Sequence, residues 1–510
     1  MREKTNTFAQ IKYGSIISYV LIILNIILGL VYTPWILHEV GSSNYGLYTL
    51  AGSLISNFLL DFGMSAAVAR FIANFRAEGK QEAIDSFAGL AIRFYALICM
   101  IAAAVLTVVY FHVDLIYGNL TAEEISTFRV VFIITSVFLV ACFPVNVCNG
   151  ILDAYEQFIW LKSSDVLNKI GTVVATIIAL INHGGIYSLI FINGLFNLLT
   201  FLAKIVIVKR KTPVKVNFRK TNEVSFKDIF SFSIWSTISG MSQQLVFNII
   251  PSVLAAIANT MAITLYGFAN VIEGYVSTIT SAINGLFMPK VSRQVVHQDD
   301  ASSVLPLMIK VGRINQSVVT ILLLGLTVFG REFVNLWVGS EYNQLYYCIL
   351  FLSWPYFISA SQQIGNTSIT VLNKVKYSAM IGVLSGIINI VLCYLLCPHF
   401  GVVGVCAGTG FIFLLRTVCY NIVYKRILKI DIWKFFKGCQ IKMLPAVVIS
   451  FILSGILAKF WTNPYLGMQG WCLLAARALI VCIIYFLVMW IIGWNREEKN
   501  VIKSLLKIRR

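Results

Sequence analysis

The feature that most constrains this chain is a succession of long apolar segments joined by short polar ones. A helix needs roughly 20 mostly apolar residues to cross a bilayer, and in hydrocarbon it satisfies its backbone hydrogen bonds within one segment. The pattern therefore predicts an all-α polytopic membrane protein with about fourteen transmembrane helices. The predicted helices begin near Gly14, Tyr45, Phe87, Phe128, Val166, Tyr187, Phe230, Thr260, Leu305, Leu345, Tyr377, Val402, Met443 and Trp471.

Composition excludes a soluble globular protein of this length. Hydrophobic residues make up 58% of the chain and charged residues only 12%. Soluble domains carry roughly 25% charged residues, which give them a water-compatible surface. The 11 cysteines and five histidines lie mostly in apolar runs or at the ends of spans, without the clustered spacing of a metal site. Neither a metal site nor a catalytic residue is therefore predicted.

The distribution of lysine and arginine sets the predicted orientation. When the polar segments are taken alternately, most of the 40 basic residues, Lys204 and Arg313 among them, fall in the set that contains both chain ends, and the opposite set holds Arg331. Basic segments stay on the cytoplasmic side, so both termini are expected there. The expected location is the bacterial cytoplasmic (inner) membrane. The net charge of +18 then reflects topology and attraction to anionic membrane lipids, with no nucleic acid as partner.

Two basic segments carry a second pattern. Residues 425–442 and 496–510 interleave lysine and arginine with large apolar side chains. This alternation is typical of amphipathic helices that lie on the inner leaflet. A surface for a partner protein is the alternative for both segments.

The sequence also contains an internal repeat. Segments 185–210 and 401–426 align without a gap at an offset of about 216, which places Gly194 opposite Gly410 and a terminal Lys-Arg pair in both. A second match, at about 218, pairs Leu47-Tyr48 and Ala51 with Leu265-Tyr266 and Ala269. Each copy holds an even number of helices, so both copies enter the membrane in the same direction, as in transporters that bind substrate between the halves.

The repeat predicts the domain organisation. Residues 1–212 form the N-terminal six-helix bundle and residues 213–430 form the C-terminal six-helix bundle. Residues 431–510 hold helices 13 and 14 and a basic cytoplasmic tail, and they lie outside the repeat.

One string in the second apolar segment carries a family resemblance. It reads Asn44-Tyr-Gly-Leu-Tyr, then Asp61-Phe-Gly-Met, then Ala69-Arg70-Phe-Ile. This resembles the polysaccharide (Wzx-type, oligosaccharidyl-lipid) flippases of the MOP superfamily, which share a two-bundle architecture with the MATE drug exporters. The resemblance covers nearly the whole chain in length, bundles, two added helices and short outer loops.

The resemblance implies a function and partners. Such flippases move undecaprenyl-diphosphate-linked oligosaccharide units from the inner to the outer leaflet by alternating access, for surface polysaccharides such as O-antigen. A lipid-linked oligosaccharide is therefore the expected substrate. A polysaccharide polymerase and glycosyltransferases are further expected partners.

Basic residues inside the apolar segments are the candidate substrate contacts, because a charge at mid-bilayer is unfavourable by about 2.5–3.5 kcal/mol or more. Arg93 and Arg416 are expected to point between the bundles and bind the diphosphate, since a planar guanidinium suits bidentate contact. Lys169, a few residues inside its span, is a weaker candidate. Arg477, near the outer end of span 14, either faces lipid or guides the lipid tail or its phosphate. Snorkelling or a structural ion pair is the alternative throughout.

Acidic residues suggest how transport is coupled or gated. Glu273 lies near the centre of the eighth span, where it is either a neutral, hydrogen-bonded acid or a coupling site for H+ or Na+. No other cofactor is expected. Asp61 lies within three turns of Arg70 on the same helix. We expect Asp61 to pair with a basic residue of a neighbouring helix, and with Arg70 to hold the inner gate.

Two other functions stay open at this point. A MATE-type multidrug or cation antiporter shares the architecture, although the excess of basic over acidic residues within the spans favours an anionic substrate. A membrane polysaccharide polymerase or glycosyltransferase acts on the same lipid carriers, but such enzymes carry a large outer loop, and the outer loops of this chain are short. The chain is therefore expected to be a transporter and not an enzyme.

Overall fold

The computed structural model describes residues 2–58, 64–218, 238, 240–241, 244–298, 304–372 and 374–507. Helices account for nearly all of these residues, and no strand occurs within the described ranges. The helices of the N-terminal part are α1 (Arg2–Val40), α2 (Ser42–Phe58), α3 (Met64–Ala77), α4 (Gln81–Phe111), α5 (Val113–Ile116), α6 (Ala122–Cys142), α7 (Val145–Ala154), α8 (Phe158–Ile181), α9 (Ile186–Lys211) and α10 (Ile250–Ile257).

The C-terminal part continues with longer helices and several breaks. Its helices are α11 (Thr260–Gln298), α12 (Leu305–Trp337), α13 (Gln344–Ser353), α14 (Tyr356–Ser359), α15 (Gln363–Val371), α16 (Val375–Arg426), α17 (Ile432–Phe436), α18 (Lys442–Phe460), α19 (Gly467–Val488) and α20 (Arg496–Lys507). The amphipathic helix predicted at the C-terminus is thus present as a helix, α20.

The predicted all-α membrane fold is confirmed. Within the described ranges, nine helical segments are long and apolar enough to cross a membrane. One of them, α16, contains both of the spans predicted to start near Tyr377 and Val402. Two helices meet inside it at Gly401, whose backbone has φ 58° and ψ −149°, a conformation that glycine adopts without steric cost. The span predicted to begin near Phe230 starts outside the described residues.

Prolines divide two of the predicted spans. Pro144 separates α6 from α7, and Pro355 separates α13 from α14. Proline lacks the amide hydrogen that a helix interior requires and its ring clashes with the preceding turn, so a helix breaks or bends at such a residue. Breaks of this kind are tolerated in a membrane where the freed backbone groups find partners in the protein.

The chain divides into two compact units. Unit 1 comprises Met1–Gly267 and Gly382–Tyr394, and unit 2 comprises Phe268–Ile381 and Leu395–Arg510. The predicted boundaries at residues 212 and 430 rest on the sequence repeat and stay predictions.

A hydrophobic core of unit 1 lies where α3, α4 and α7 pack together. Ile72, Phe87 and Ile151 belong to it and are buried, and Phe71 packs on Phe87 with ring centroids 5.2 Å apart. Because small residues such as Ala67 and Gly150 face the contact, the backbones of α3 and α7 approach closely: a Cβ at Gly150 would lie 2.7 Å from the Ser65 carbonyl oxygen.

Unit 2 is held by buried ion pairs as well as by apolar packing. Arg313 of α12 is 3% exposed, and its guanidinium donates to both carboxylate oxygens of Glu498 in α20, at 2.5 and 2.8 Å, and to the Gly493 carbonyl at 2.7 Å. Arg313 was counted among the cytoplasmic loop residues on sequence grounds. The structure places it inside α12, where it attaches the C-terminal helix to the unit.

Candidate functional site

Unit 1 contains an open cavity of about 470 Å³, lined by both polar and apolar side chains, which we call the unit 1 cavity. Its volume lies within the range of small-molecule sites, roughly 300–1,000 Å³. It is formed by α2, α6, α7, α8 and α9, and its polar lining consists of Tyr48, Thr135, Asn146, Asp165, Asn168, Asn193, Asn197, Thr200 and Lys204.

A polar strip on α9 supplies one wall of the cavity. Asn193, Asn197, Thr200 and Lys204 all line it. Their spacing of four, three and four residues places them on one face of a helix. The remaining faces of α9 carry Phe191, Leu199, Leu202 and Val206, which are exposed in the structure and suit contact with lipid. The helix is therefore amphipathic, with its polar face toward the cavity.

Lys204 is the buried cation of this site. It is 6% exposed, and its Nζ donates to Asp165 Oδ1 at 2.8 Å and to Asn149 Oδ1 at 3.0 Å. A charge buried in a bundle requires such a partner, because its desolvation is otherwise uncompensated. This one side chain ties α9 to α7 and α8.

The distribution of basic residues predicts Lys204 in a cytoplasmic loop, and this prediction is wrong. Lys204 lies seven residues before the end of α9, with its side chain among the bundle helices. The signal that could have revealed it is the helical spacing with Asn193, Asn197 and Thr200, which continues the polar face to residue 204.

The rest of the polar lining is a network of amides and hydroxyls. Asn168 Nδ2 donates to Asn197 Oδ1 at 3.0 Å and to Thr200 Oγ1 at 2.9 Å. Asn193 Nδ2 donates to the Tyr48 hydroxyl at 3.2 Å. An amide offers two donors and an acceptor, and a hydroxyl offers both functions. The cavity can therefore bind a neutral, hydroxyl-rich ligand through hydrogen bonds.

Two predicted basic contacts lie away from the unit 1 cavity. Arg93 is exposed on α4, with its guanidinium carbon 5.6 Å from the centre of the Phe218 ring. Lys169 is half-buried on α8 and does not belong to the cavity lining. The structure therefore brings neither Arg93 nor Lys169 to this cavity.

Arg416 lies in unit 2, on the second half of α16. Its side chain is half-buried. The guanidinium is 5.6 Å from the centre of the Tyr420 ring, and its Nη2 donates to the Tyr420 hydroxyl at 3.4 Å. An arginine held over an aromatic ring keeps a fixed orientation.

Glu273 lies on α11 in unit 2 and is 6% exposed. The Tyr356 hydroxyl donates a hydrogen bond to its Oε1. Tyr356 also packs on Phe413, with ring centroids 5.0 Å apart, and Phe413 lies three residues before Arg416 on α16, so one tyrosine lies between the predicted acidic site and the predicted phosphate contact. This connection could not be seen in the sequence, where the three residues lie far apart.

Arg477 is a buried member of a structural ion pair. It is 2% exposed, its Nη1 donates to Glu332 Oε2 at 2.6 Å, and its guanidinium carbon lies 5.0 Å from the Phe329 ring centre. The lipid-facing orientation that the sequence left open is therefore wrong. The pairing attaches α19 to α12 within unit 2.

The predicted inner gate is not described by the structure. Asp61 lies outside the described residues. Arg70 is exposed and lies close to the middle of α3. The pairing of Asp61 stays a prediction.

Comparison with protein families adds independent information. Residues 11–294 match the family described as polysaccharide biosynthesis protein. Among curated proteins, the chain is similar to Agl15 of Haloferax volcanii, a probable low-salt glycan biosynthesis flippase, with 21% identity over 256 residues. The match covers 49% of this chain and 51% of Agl15, so the chain spans about half the length of that relative.

Solved structures share the fold. Lipid II flippase MurJ in an inward closed conformation matches with a TM-score of 0.63 and 14% identity, over 88% of this chain and 96% of that one. An inward-facing MATE multidrug resistance transporter of the MOP superfamily matches with a TM-score of 0.64 and 14% identity, over 76% of this chain and 93% of that one. A MOP superfamily transporter from Pyrococcus furiosus gives 0.55 and 14%, over 83% and 95%. At these identities the likeness shows the fold alone.

Proposed function

The chain belongs to the polysaccharide biosynthesis protein family, and from that premise we propose that it is a flippase for a lipid-linked oligosaccharide. The substrate is an undecaprenyl-diphosphate-linked repeat unit, carried from the inner to the outer leaflet of the bacterial cytoplasmic membrane by alternating access. Agl15 is a glycan biosynthesis flippase and MurJ a lipid II flippase, and these descriptions support the proposal. No step of this cycle makes or breaks a covalent bond in the substrate.

The single observation that carries the proposal is the unit 1 cavity. A membrane bundle tolerates a polar interior only where the polar groups are paired or line a pathway. The cavity exposes amides and hydroxyls around one cation, Lys204, which Asp165 neutralises. Hydrogen-bonding groups without net charge match the hydroxyls of a sugar. We therefore place the oligosaccharide in this cavity.

The diphosphate is assigned to arginine. Arg416 is half-buried and stacked against Tyr420, a geometry that supports bidentate contact with a phosphate. We propose that Arg93 and Lys169 contact the diphosphate earlier, before the sugar enters the cavity. Arg93 is exposed on α4 and is therefore accessible at that stage. Arg477 is committed to Glu332 and takes no part in the proposal.

Coupling is assigned to Glu273. Its carboxylate is buried, and within the described residues Tyr356 donates to it while no basic side chain forms an ion pair with it. A buried acid of this kind exchanges a proton when its surroundings change. We propose H+ as the coupling ion, with Na+ as the other outcome of a transport assay run in gradients of each ion.

Replacement of Arg416 tests the proposal in cells. We expect Arg416→Ala to abolish surface polysaccharide, with the lipid-linked precursor accumulating in the inner leaflet. The matched control is Arg426→Ala, which removes an exposed arginine from the end of the same helix and should leave the polymer unchanged. Arg93→Ala on its own is expected to reduce the polymer.

Two outcomes would contradict the proposal. Normal surface polymer in a folded Arg416→Ala, Arg93→Ala double variant would remove the diphosphate contact. Unchanged polymer together with altered sensitivity to cationic drugs would favour the multidrug antiporter. Membrane abundance of each variant, measured by immunoblotting, separates loss of transport from loss of the protein.

A further inference from the structure

Three segments predicted to lie on the outer side of the membrane meet within unit 1. They are the α1–α2 connection, the segment between α5 and α6, and the start of α11. Glu124, at the beginning of α6, is the point where they join. Its Oε1 accepts from the Ser43 hydroxyl at 2.6 Å and from the Thr260 hydroxyl at 2.8 Å.

The other oxygen of Glu124 has a local role. Glu124 Oε2 accepts from the Thr121 backbone N–H at 2.9 Å, and the Thr121 hydroxyl accepts from the Glu124 backbone N–H at 3.2 Å. This capping box fixes the start of α6. The cap holds the carboxylate in place, so Oε1 points at the two hydroxyls of α2 and α11. Hydrogen bonds to a charged oxygen are stronger than those between neutral groups.

The helices that Glu124 joins are repeat mates, and they cross in a reciprocal manner. The offset of about 218 pairs Gly46 with Thr264 and Thr49 with Gly267. A Cβ at Gly46 would lie 2.5 Å from the Thr260 carbonyl oxygen and 3.0 Å from Thr264 Oγ1. A Cβ at Gly267 would lie 2.8 Å from Thr49 Cγ2. Each helix thus presents a glycine to a threonine of the other, at equivalent positions.

Such a crossing is self-complementary, like an interface on a two-fold axis. Thr264 Oγ1 also donates to the Ser42 carbonyl at 2.7 Å, so both helices contact the backbone of the other. Small residues allow this close approach in a membrane, where van der Waals packing and hydrogen bonds are the main attractions between helices. The two helices therefore approach closely, and the hydrogen bonds described here that would break on opening are those of Ser43, Thr260 and Thr264.

We propose that α2, α11 and Glu124 form the outer gate of the transport pathway, with Glu124 as its latch. The gate is closed in this structure. Separation of Ser43 and Thr260 from Glu124 opens the route by which the glycan leaves the unit 1 cavity. The inference goes beyond the proposed function, since it concerns access from the outside and would hold for any hydrophilic substrate.

Labelling of a native cysteine tests the gate. Cys142 lines the unit 1 cavity, so a chain that keeps Cys142 and carries serine at the other ten cysteine positions reports access from outside. Intact cells are treated with a membrane-impermeant maleimide. We expect slow labelling in this parent chain and about tenfold faster labelling in Glu124→Ala and in the Ser43→Ala, Thr260→Val double variant, because loss of hydrogen bonds to a charged group changes an equilibrium by about this factor.

Matched controls separate the latch from its surroundings. Glu123→Ala removes the exposed neighbouring acid. Thr121→Ala removes only the capping hydroxyl, since the backbone N–H of residue 121 still binds Glu124 Oε2 and both latch hydroxyls remain. Both variants should label like the parent. Gly46→Ala should label faster than the parent, whereas Gly274→Ala, a glycine of α11 whose Cβ would meet nothing within 4 Å, should not. Labelling in permeabilised cells confirms that Cys142 is reactive in every variant.

The outcome is decisive in either direction. If Glu124→Ala, the double variant and Gly46→Ala all label at the parent rate, α2 and α11 do not form the gate. Since labelling requires no substrate, this result would leave the proposed flippase activity standing. Conversely, the gate variants could label faster than the parent while Arg416→Ala still makes normal polymer. This result would support the gate and contradict the proposed contact between Arg416 and the substrate.

Discussion

Helix α9 and its repeat mate, the second half of α16, share a framework and differ in chemistry. Both begin directly after a glycine, at Gly185 and Gly401, and both carry a Lys-Arg pair in the last turn. In both, a glycine lies close against a neighbouring helix: a Cβ would lie 2.1 Å from Phe138 Cδ2 at Gly194 and 2.2 Å from the Phe351 carbonyl oxygen at Gly410. The packing of the repeat has therefore been kept in both units.

The polar faces of the two helices have diverged. On α9 the strip reads Asn193, Asn197, Thr200 and Lys204, and at the offset of about 216 the strip on α16 reads Thr409, Phe413, Arg416 and Tyr420. The first is a neutral hydrogen-bonding surface whose cation is held by a carboxylate. The second is an arginine set among aromatic rings. The close packing at the glycine has therefore been kept in the two copies, while the side chains of the polar face have changed.

The largest effect is expected from Lys204→Met. The substitution leaves Asp165 without its cation inside the bundle, and breaking a buried ion pair costs about 3–5 kcal/mol; the partial exposure of Asp165 places the expected loss at about 3 kcal/mol. We expect a lower melting temperature of the detergent-purified protein and loss of surface polymer.

The double variant Lys204→Met, Asp165→Asn distinguishes the two roles of this pair. Removal of both charges should restore most of the stability while surface polymer stays low, because the cavity has lost its only described buried cation. Restoration of stability and polymer together would show that the pair is structural only, and the contrast between the two strips would lose its functional meaning.

The two glycines provide the next comparison. Gly410→Ala forces a methyl group against a backbone carbonyl, which cannot move without shifting α13, so we expect a loss of about 2–3 kcal/mol. Gly194→Ala meets the Phe138 ring, which can rotate, so we expect about 1 kcal/mol. Thermal denaturation of both variants in the same detergent measures the difference. Equal losses would contradict the account of how the two helices pack.

The smallest effect is expected at Tyr420, which occupies the position of Lys204 in the repeat. Its hydroxyl lies 2.7 Å from Ser378 Oγ and accepts from Arg416. Tyr420→Phe removes these hydrogen bonds but keeps the ring that faces the guanidinium, so we expect a loss of about 1 kcal/mol and nearly normal polymer. A complete loss of polymer would show that the hydroxyl itself contacts the substrate.

The helical architecture was predictable from sequence, and the site was predictable only in part. Hydropathy and span length locate helices because each span satisfies its hydrogen bonds locally. The repeat also placed Gly194 and Gly410 in equivalent packing positions. The environment of a charged side chain depends instead on residues that are distant in sequence.

Three basic residues illustrate this limit. Lys204 was counted with the loop residues because it lies near a basic span end, whereas its burial is set by Asp165 on another helix. Arg477 was compatible with a lipid-facing position until Glu332, 145 residues away, was seen to pair with it. Arg93 and Arg416 resemble each other in sequence, yet one contacts the exposed linker residue Phe218 and the other a buried tyrosine.

The most direct test of the central claim is transport by the purified protein in liposomes that contain a fluorescent undecaprenyl-diphosphate-linked oligosaccharide. An impermeant reagent that destroys outer-leaflet fluorophore measures the fraction that has moved. We predict rapid transbilayer exchange with the wild-type chain and with Arg426→Ala, and exchange at the rate of protein-free liposomes with Arg416→Ala. Exchange by Arg416→Ala at the wild-type rate, or none by the wild-type chain in either direction of the imposed ion gradients, would contradict the account.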